Sequence, residues 1–175
     1  GGILKGVGTI GTLSLVSGTV APGLSPGCLS SGNLSYTGGT LEIEINGATV
    51  CTEYDQQTVT GTVALGTATT LDIARFTSYA PELNSTYTII SNDASDAVTG
   101  TFAGLAQGAE IVVDGVTYTI SYTGGDGNDV VLTVTAVDES VGAPNTGAHI
   151  IRSGILLPIF AILSAAAIIY MNFVV

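Results

Sequence analysis

The chain has 175 residues, of which 3 are Lys or Arg and 14 are Asp or Glu, for a formal net charge of −11. So few cations exclude a nucleic-acid surface, because phosphate binding needs clustered Lys and Arg. A hydrophobic content of 46%, arranged in β-branched runs, excludes a disordered chain despite 24 glycines.

The chain opens Gly1-Gly2-Ile3, without Met or a signal peptide, and is read as a mature or cropped N-terminus. Three segments then align: Gly11-Thr12-Leu13-Ser14-Leu15, Gly32-Asn33-Leu34-Ser35-Tyr36 and Gly61-Thr62-Val63-Ala64-Leu65. Each is followed by a corner and a second strand, as in Thr40 to Ile45 and Thr70 to Ile73. Apolar and polar residues alternate within each unit, which places one row inward, Leu13, Leu34 and Val63 among it, and the other in water. Corners are marked by Ala21-Pro22-Gly23, Ser25-Pro26-Gly27, Gly38-Gly39 and Asn46-Gly47. Strand, corner, strand at about 20 to 30 residues per unit is the pattern of a parallel β-solenoid.

The second half is expected to form an antiparallel cap from Tyr87-Thr88-Ile89-Ile90, Gly100-Thr101-Phe102, Glu110 to Val113, Val116 to Tyr122 and Val130 to Val134. Asp114-Gly115 between two of these runs signals a two-residue hairpin. A polar, unpatterned linker follows over 136–149. From Gly154 to Val175 no residue is charged, and a helix of that length would span about 33 Å, the thickness of a bilayer core. The expected domains are therefore a β-solenoid with its cap over 1–135, the linker over 136–149 and one transmembrane helix over 150–175. Arg152 alone would place the N-terminal side of that helix in the cytoplasm, and a basic tail beyond Val175 would reverse it.

The succession Gly18 to Gly23, Ser25-Pro26-Gly27, Tyr54-Asp55-Gln56, Asn92-Asp93 to Gly104-Leu105, and Ile120 to Leu132 through Gly124-Gly125-Asp126-Gly127-Asn128-Asp129 resembles the autotransporter-associated β-strand repeat proteins over Gly11 to Thr135. The resemblance implies a right-handed parallel β-helix with an adhesive or scaffolding role and no active site. Ala143-Pro144-Asn145-Thr146-Gly147 ahead of the apolar span is similar to the sorting signal of sortase-anchored proteins. It departs from that pattern in having Ala where Leu is usual and in lacking the basic tail. It implies a sortase-like transpeptidase as partner, acting at the Thr146 carbonyl. A plain linker ahead of a membrane anchor is the alternative.

The one His, His149, lies in the linker, so a Ser/His/Asp or Cys/His centre within the β region is excluded by inventory. Glu42 and Glu44 lie two apart on one strand, and Asp72 takes the corresponding place in the next unit. All three are expected on one outer face, solvated. The rival function is a polysaccharide lyase or hydrolase with these carboxylates as acid/base groups and Tyr36, Tyr54 and Arg75 near its groove. Gly124 to Leu132 fits the nonapeptide G-G-x-G-x-D-x-U-x, making Asp126 and Asp129 a calcium candidate, but a single copy reads first as a tight turn. Cys28 and Cys51, 23 residues apart, would meet in adjacent rungs as a disulfide in an oxidising compartment; two free core thiols are the alternative. Asn33-Leu34-Ser35 and Asn84-Ser85-Thr86 match the glycosylation pattern by chance in this reading. The expected function is a non-catalytic structural or adhesive module on a bacterial cell surface, without cofactor, held at its C-terminus by membrane or wall and facing a surface ligand of unknown kind.

Overall fold

Alternating strands three or four residues long cannot bury an apolar face alone; they need copies above and below to complete both the hydrogen-bond ladder and the core. The computed structural model, which describes residues 1–75, 79–93 and 96–138, supplies those copies. The first coil of chain carries β1 (Ile3–Gly6), β2 (Gly8–Thr9) and β3 (Leu13–Leu15), and the second carries β4 (Thr19–Pro22), β5 (Cys28–Ser31) and β6 (Leu34–Tyr36). The third carries β7 (Gly39–Ile45), β8 (Gln56–Val59) and β9 (Val63–Leu65), and the fourth β10 (Thr69–Arg75), β11 (Thr86–Ser91) and β12 (Thr99–Gly100). Consecutive strands enter three different sheets, ordered β1-β4-β7-β10, β2-β5-β8-β11 and β3-β6-β9-β12. All pairings within these rows are parallel.

Each coil thus has three strands where the sequence pattern suggests two. The unexpected ones, Cys28-Leu29-Ser30-Ser31 and Gln56-Gln57-Thr58-Val59, are short and largely polar. Register rather than composition makes them strands: Leu29 pairs with Gln57, and Ser31 with Val59. Gln57 is fully buried, and its amide nitrogen donates to the Ser31 hydroxyl at 3.0 Å, which satisfies one polar end inside the core.

The core is a set of vertical rows. Leu13 pairs with Leu34 and Leu34 with Val63, all buried, and two residues along the strand Leu15, Tyr36 and Leu65 repeat the arrangement. Ile43 pairs with Ile73 in the first sheet. Each buried side chain of this size contributes about 1.5–3 kcal/mol relative to exposure.

Past the fourth coil the chain reverses. β13 (Glu110–Val113), β14 (Val116–Gly124) and β15 (Asp129–Val137) extend the second sheet in the order β13-β14-β15-β11, and all three new pairings are antiparallel. β11 is therefore parallel to β8 on one side and antiparallel to β15 on the other, so it belongs to the coil stack as well as to the cap. The hairpin between β13 and β14 turns at Asp114 and Gly115, with φ of 48° and 76°, the two positive values that the two-residue turn demands. Pairing β15 on β11 leaves no open parallel edge at this end of the sheet.

The expected chain of β-helix, linker and transmembrane helix is corrected here. The described residues are all-β, with parallel sheets and an antiparallel end, and among them no helix is long and apolar enough to cross a membrane. The helix expected over 150–175 and most of the linker lie outside the described residues.

An aromatic column ties cap to coils. Tyr54 and Tyr87 meet edge-to-face at 5.2 Å between ring centroids, and Tyr87 meets Tyr118 at 6.2 Å. The Tyr87 hydroxyl shares a 2.8 Å hydrogen bond with that of Tyr79. Burial pushes the Tyr87 phenol well above its ordinary range and the Tyr118 phenol up to about 12, so both rings stay neutral. Tyr87→Ala should cost about 3–5 kcal/mol by denaturant unfolding, whereas Tyr87→Phe should cost about 1 kcal/mol, the share of one hydrogen bond. Equal losses would place the stabilisation in the hydroxyl rather than in ring packing.

Candidate functional site

Because strands stack in register, outward side chains form rows as regular as the inward ones. Thr9, Ser30, Thr58 and Ser91 line up on the second sheet, and Ser14, Ser35, Ala64 and Thr99 on the third. On the first sheet Thr19, Thr40 and Thr70 share a row, where the Thr40 and Thr70 hydroxyls lie 2.8 Å apart. Adjacent to this row, Glu42 pairs with Asp72. The outer surface is thus hydroxyl-rich and acidic, with small side chains at a spacing of about 4.8 Å.

The three candidate carboxylates do not gather into a catalytic pair. Asp72 is exposed and Glu42 half-buried on neighbouring strands, but Glu44 is buried, with 8% of its surface exposed. The expectation that Glu44 shares the solvated face is corrected: near the end of β7 it enters the corner where the first sheet turns into the second. There its Oε1 accepts from the Ser25 hydroxyl at 2.8 Å and lies 3.8 Å from Lys5 Nζ.

The group that organises this corner is Asp55, only 1% exposed. Its Oδ1 accepts the Gly27 N–H at 2.6 Å and its Oδ2 the Glu44 N–H at 2.9 Å, so one carboxylate ties the corner of the second coil to that of the third. The Asp55 N–H donates to the Glu44 carbonyl at 3.0 Å. Burial pushes the Asp55 carboxyl up to about 6 against the pull of both backbone donors; the Glu44 charge adds to the rise and Lys5 opposes it. In the sequence Asp55 stands only within the run Tyr54-Asp55-Gln56 and carries no role of its own, since a buried Asp in a corner reads like any turn Asp.

The disulfide joins Cys28 and Cys51 at the same corner, with Cα atoms 4.8 Å apart. It does not stack equivalent positions of two rungs, since Cys28 is in register with Gln56. Cys51 sits instead in the loop between β7 and β8, in left-handed conformation at φ 65°, and the bond pins that loop to the start of β5.

The remaining candidates have structural partners. Tyr36 is fully buried and Tyr54 packs on Tyr87, so neither offers a platform to a sugar ring. The Arg75 guanidinium donates to the carbonyls of Val113, Asp114 and Tyr79, which fastens the hairpin turn. Asn33 accepts the Thr62 N–H at 3.1 Å and so links two coils. A shallow groove of about 290 Å³ opens on the first coil, lined by Ile3, Leu4, Leu13, Leu15 and Val20 among others, and no carboxylate of the described residues lines it.

Asp126 and Asp129 lie at the turn between β14 and β15. Asp129 Oδ1 accepts the Asn92 N–H at 2.8 Å, and the Asn92 and Asn128 amides both donate to the Asp96 carbonyl, at 2.7 and 3.1 Å. Gly125 is required here: at φ 57° a Cβ would collide with Asp129 Oδ2. His149 and the motif Ala143, Pro144, Asn145, Thr146 and Gly147 lie outside the described residues.

No protein-family model, curated protein or solved structure matches the chain.

Asp55→Ala strands two buried N–H groups and should cost about 2–4 kcal/mol, while Glu42→Gln should cost about 0.5 kcal/mol or less. The raised Asp55 carboxyl also sets a sign with pH. The folded state holds that proton more tightly than the unfolded chain does. This contribution to stability is complete below the ordinary Asp value and is lost as pH rises through about 6. Unfolding titrations of wild type and Asp55→Ala between pH 3 and 8, about the range that brackets both states, should differ by this falling component. Parallel curves would assign the titration elsewhere.

Proposed function

We propose that this chain is a non-catalytic display module carried outside the cell, a structural or adhesive element that presents rows of hydroxyl and carboxylate side chains to a surface ligand. The observation that carries this reading is the register of the outer rows, which sets Thr19/Thr40/Thr70 and Glu42/Asp72 on one face of a rigid coil stack. Repetition of small polar groups at strand spacing suits extended, repetitive ligands such as polysaccharide, because each contact is weak and many form together.

Two further observations support it. The Cys28–Cys51 bond suits an oxidising compartment. The carboxylates that a glycan-cleaving rival would need are divided, Glu44 being tied into the corner with Ser25 and Lys5 while Glu42 and Asp72 remain outside. Attachment through the motif at 143–147 belongs to the same proposal. Its mark would be a mature C-terminus at Thr146 joined to a wall component, read by mass spectrometry.

Bead-coupled chain incubated with a panel of acidic and neutral polysaccharides should retain some of them and release no new reducing or unsaturated ends. Glu42→Gln should leave retention within about twofold, since a single exposed charge contributes little. Turnover of any polysaccharide that this substitution abolishes would overturn the reading in favour of an enzyme.

A further inference from the structure

The seam between the loop after β11 and the turn before β15 holds polar atoms that the fold does not satisfy. Asn92 and Asn128 are each 7% exposed, and the Oδ1 atom of each is buried with no hydrogen-bond donor. Their orientation is fixed by chemistry: both amide NH2 groups donate to one acceptor, the Asp96 carbonyl, so turning either amide over would set oxygen against oxygen. Two amide oxygens are therefore held at this seam without a protein donor, an arrangement that costs stability unless a cation or a water meets them.

The Asp126 and Asp129 carboxylates belong to the same turn as Asn128. Asp129 is half-buried, and its Oδ1 accepts the Asn92 N–H at 2.8 Å, which sets that carboxylate against the residue bearing one of the two orphaned oxygens. The described basic side chains are committed elsewhere, Lys5 to Glu44 and Arg75 to three backbone carbonyls. Gly125, at φ 57°, lets Asp129 Oδ2 lie against its backbone, in space that a Cβ would occupy. Among the described residues no three Asp, Glu, His or Cys side chains gather as a metal cluster, so carboxylates alone do not make this site. The buried amide oxygens are what distinguish it from an acidic surface.

We propose that Asn92, the residue that follows β11, and the 125–129 turn form a binding site for a hard divalent cation of the calcium type, with side-chain oxygens of Asn92, Asn128, Asp126 and Asp129 as its ligands. All-oxygen donors of mixed amide and carboxylate character, with no nitrogen or sulfur, select this class over transition metals. The site is built from one turn and the residue that follows β11, so it needs no stacked copies of the glycine-rich nonapeptide. Its function would be to lock the end of β11 to the β14–β15 turn, the joint between coil stack and cap.

The test is calorimetric titration of the full 175-residue chain with CaCl2 after chelator treatment, paired with unfolding midpoints with and without the ion. Binding at one site per chain, with Kd of about 0.1–1 mM and a rise in the midpoint, is expected. Asp126→Asn, an exposed and isosteric change that leaves the fold intact, should weaken binding about tenfold, and Asn128→Ser should weaken it further. Asp72→Asn, on the first sheet rather than the second, should leave both readings unchanged. Absence of heat and of a midpoint shift in the wild type up to about 10 mM, well above that affinity range, would overturn the proposal and leave the amide oxygens to water. Binding that Asp126→Asn and Asn128→Ser both leave intact would overturn it equally, by placing the ion elsewhere on the acidic surface.

Discussion

In-register parallel stacking is the constraint on which the rest of this structure depends. A strand such as Leu13–Leu15 contributes two inward side chains and a few backbone hydrogen bonds, which does not offset the entropy of ordering it. Placed beneath Leu34–Tyr36 and Val63–Leu65, the same residues become part of a continuous apolar row. Because the side-chain period in a strand is two, a slip of one residue would expose the whole row, so register and core are a single requirement. The outer rows are its by-product: fixing Leu13 over Leu34 also fixes Ser14 over Ser35.

Corners are where such a stack is weakest, since the chain leaves the ladder and its N–H groups lose their partners. The corner at Gly27, Glu44 and Asp55 answers this with one buried carboxylate that accepts two backbone donors from neighbouring coils. The disulfide holds the same corner by a covalent route. These two devices explain how a loop as long as the one between β7 and β8 can interrupt the stack without opening it. They also show how an acid that resembles a functional group in sequence, Glu44, becomes part of the scaffold.

The inward row was legible in the sequence because Leu13, Leu34 and Val63 follow glycines at equal offsets and alternate with small polar residues. The hairpin at Asp114-Gly115 was legible because few other residue pairs accept two positive φ values. The middle strand of the second and third coils was not, because Gln56-Gln57-Thr58-Val59 has no apolar alternation and becomes a strand only through its neighbour. The role of Asp55 was hidden for a similar reason: a carboxylate facing N–H groups 28 and 11 residues away leaves no local pattern. Asn92 and Asn128, 36 positions apart in the sequence, meet only because β15 folds back on β11. Local periodicity thus carried the rows, and long-range pairing carried the sites.

The coil stack and its outer rows both require in-register pairing, which oxidative cross-linking reads directly. Ser14→Cys with Ser35→Cys places two thiols on paired positions of adjacent strands, where Cα atoms about 4.8 Å apart lie within disulfide reach. Ser14→Cys with Thr37→Cys sets them two residues out of register, about 8 Å apart and beyond that reach. Mild oxidation should bridge the first pair quickly in the folded chain and leave the second reduced. Bridging of the second pair at the same rate, or in preference to the first, would contradict the in-register stack and with it the outer rows on which the functional reading rests.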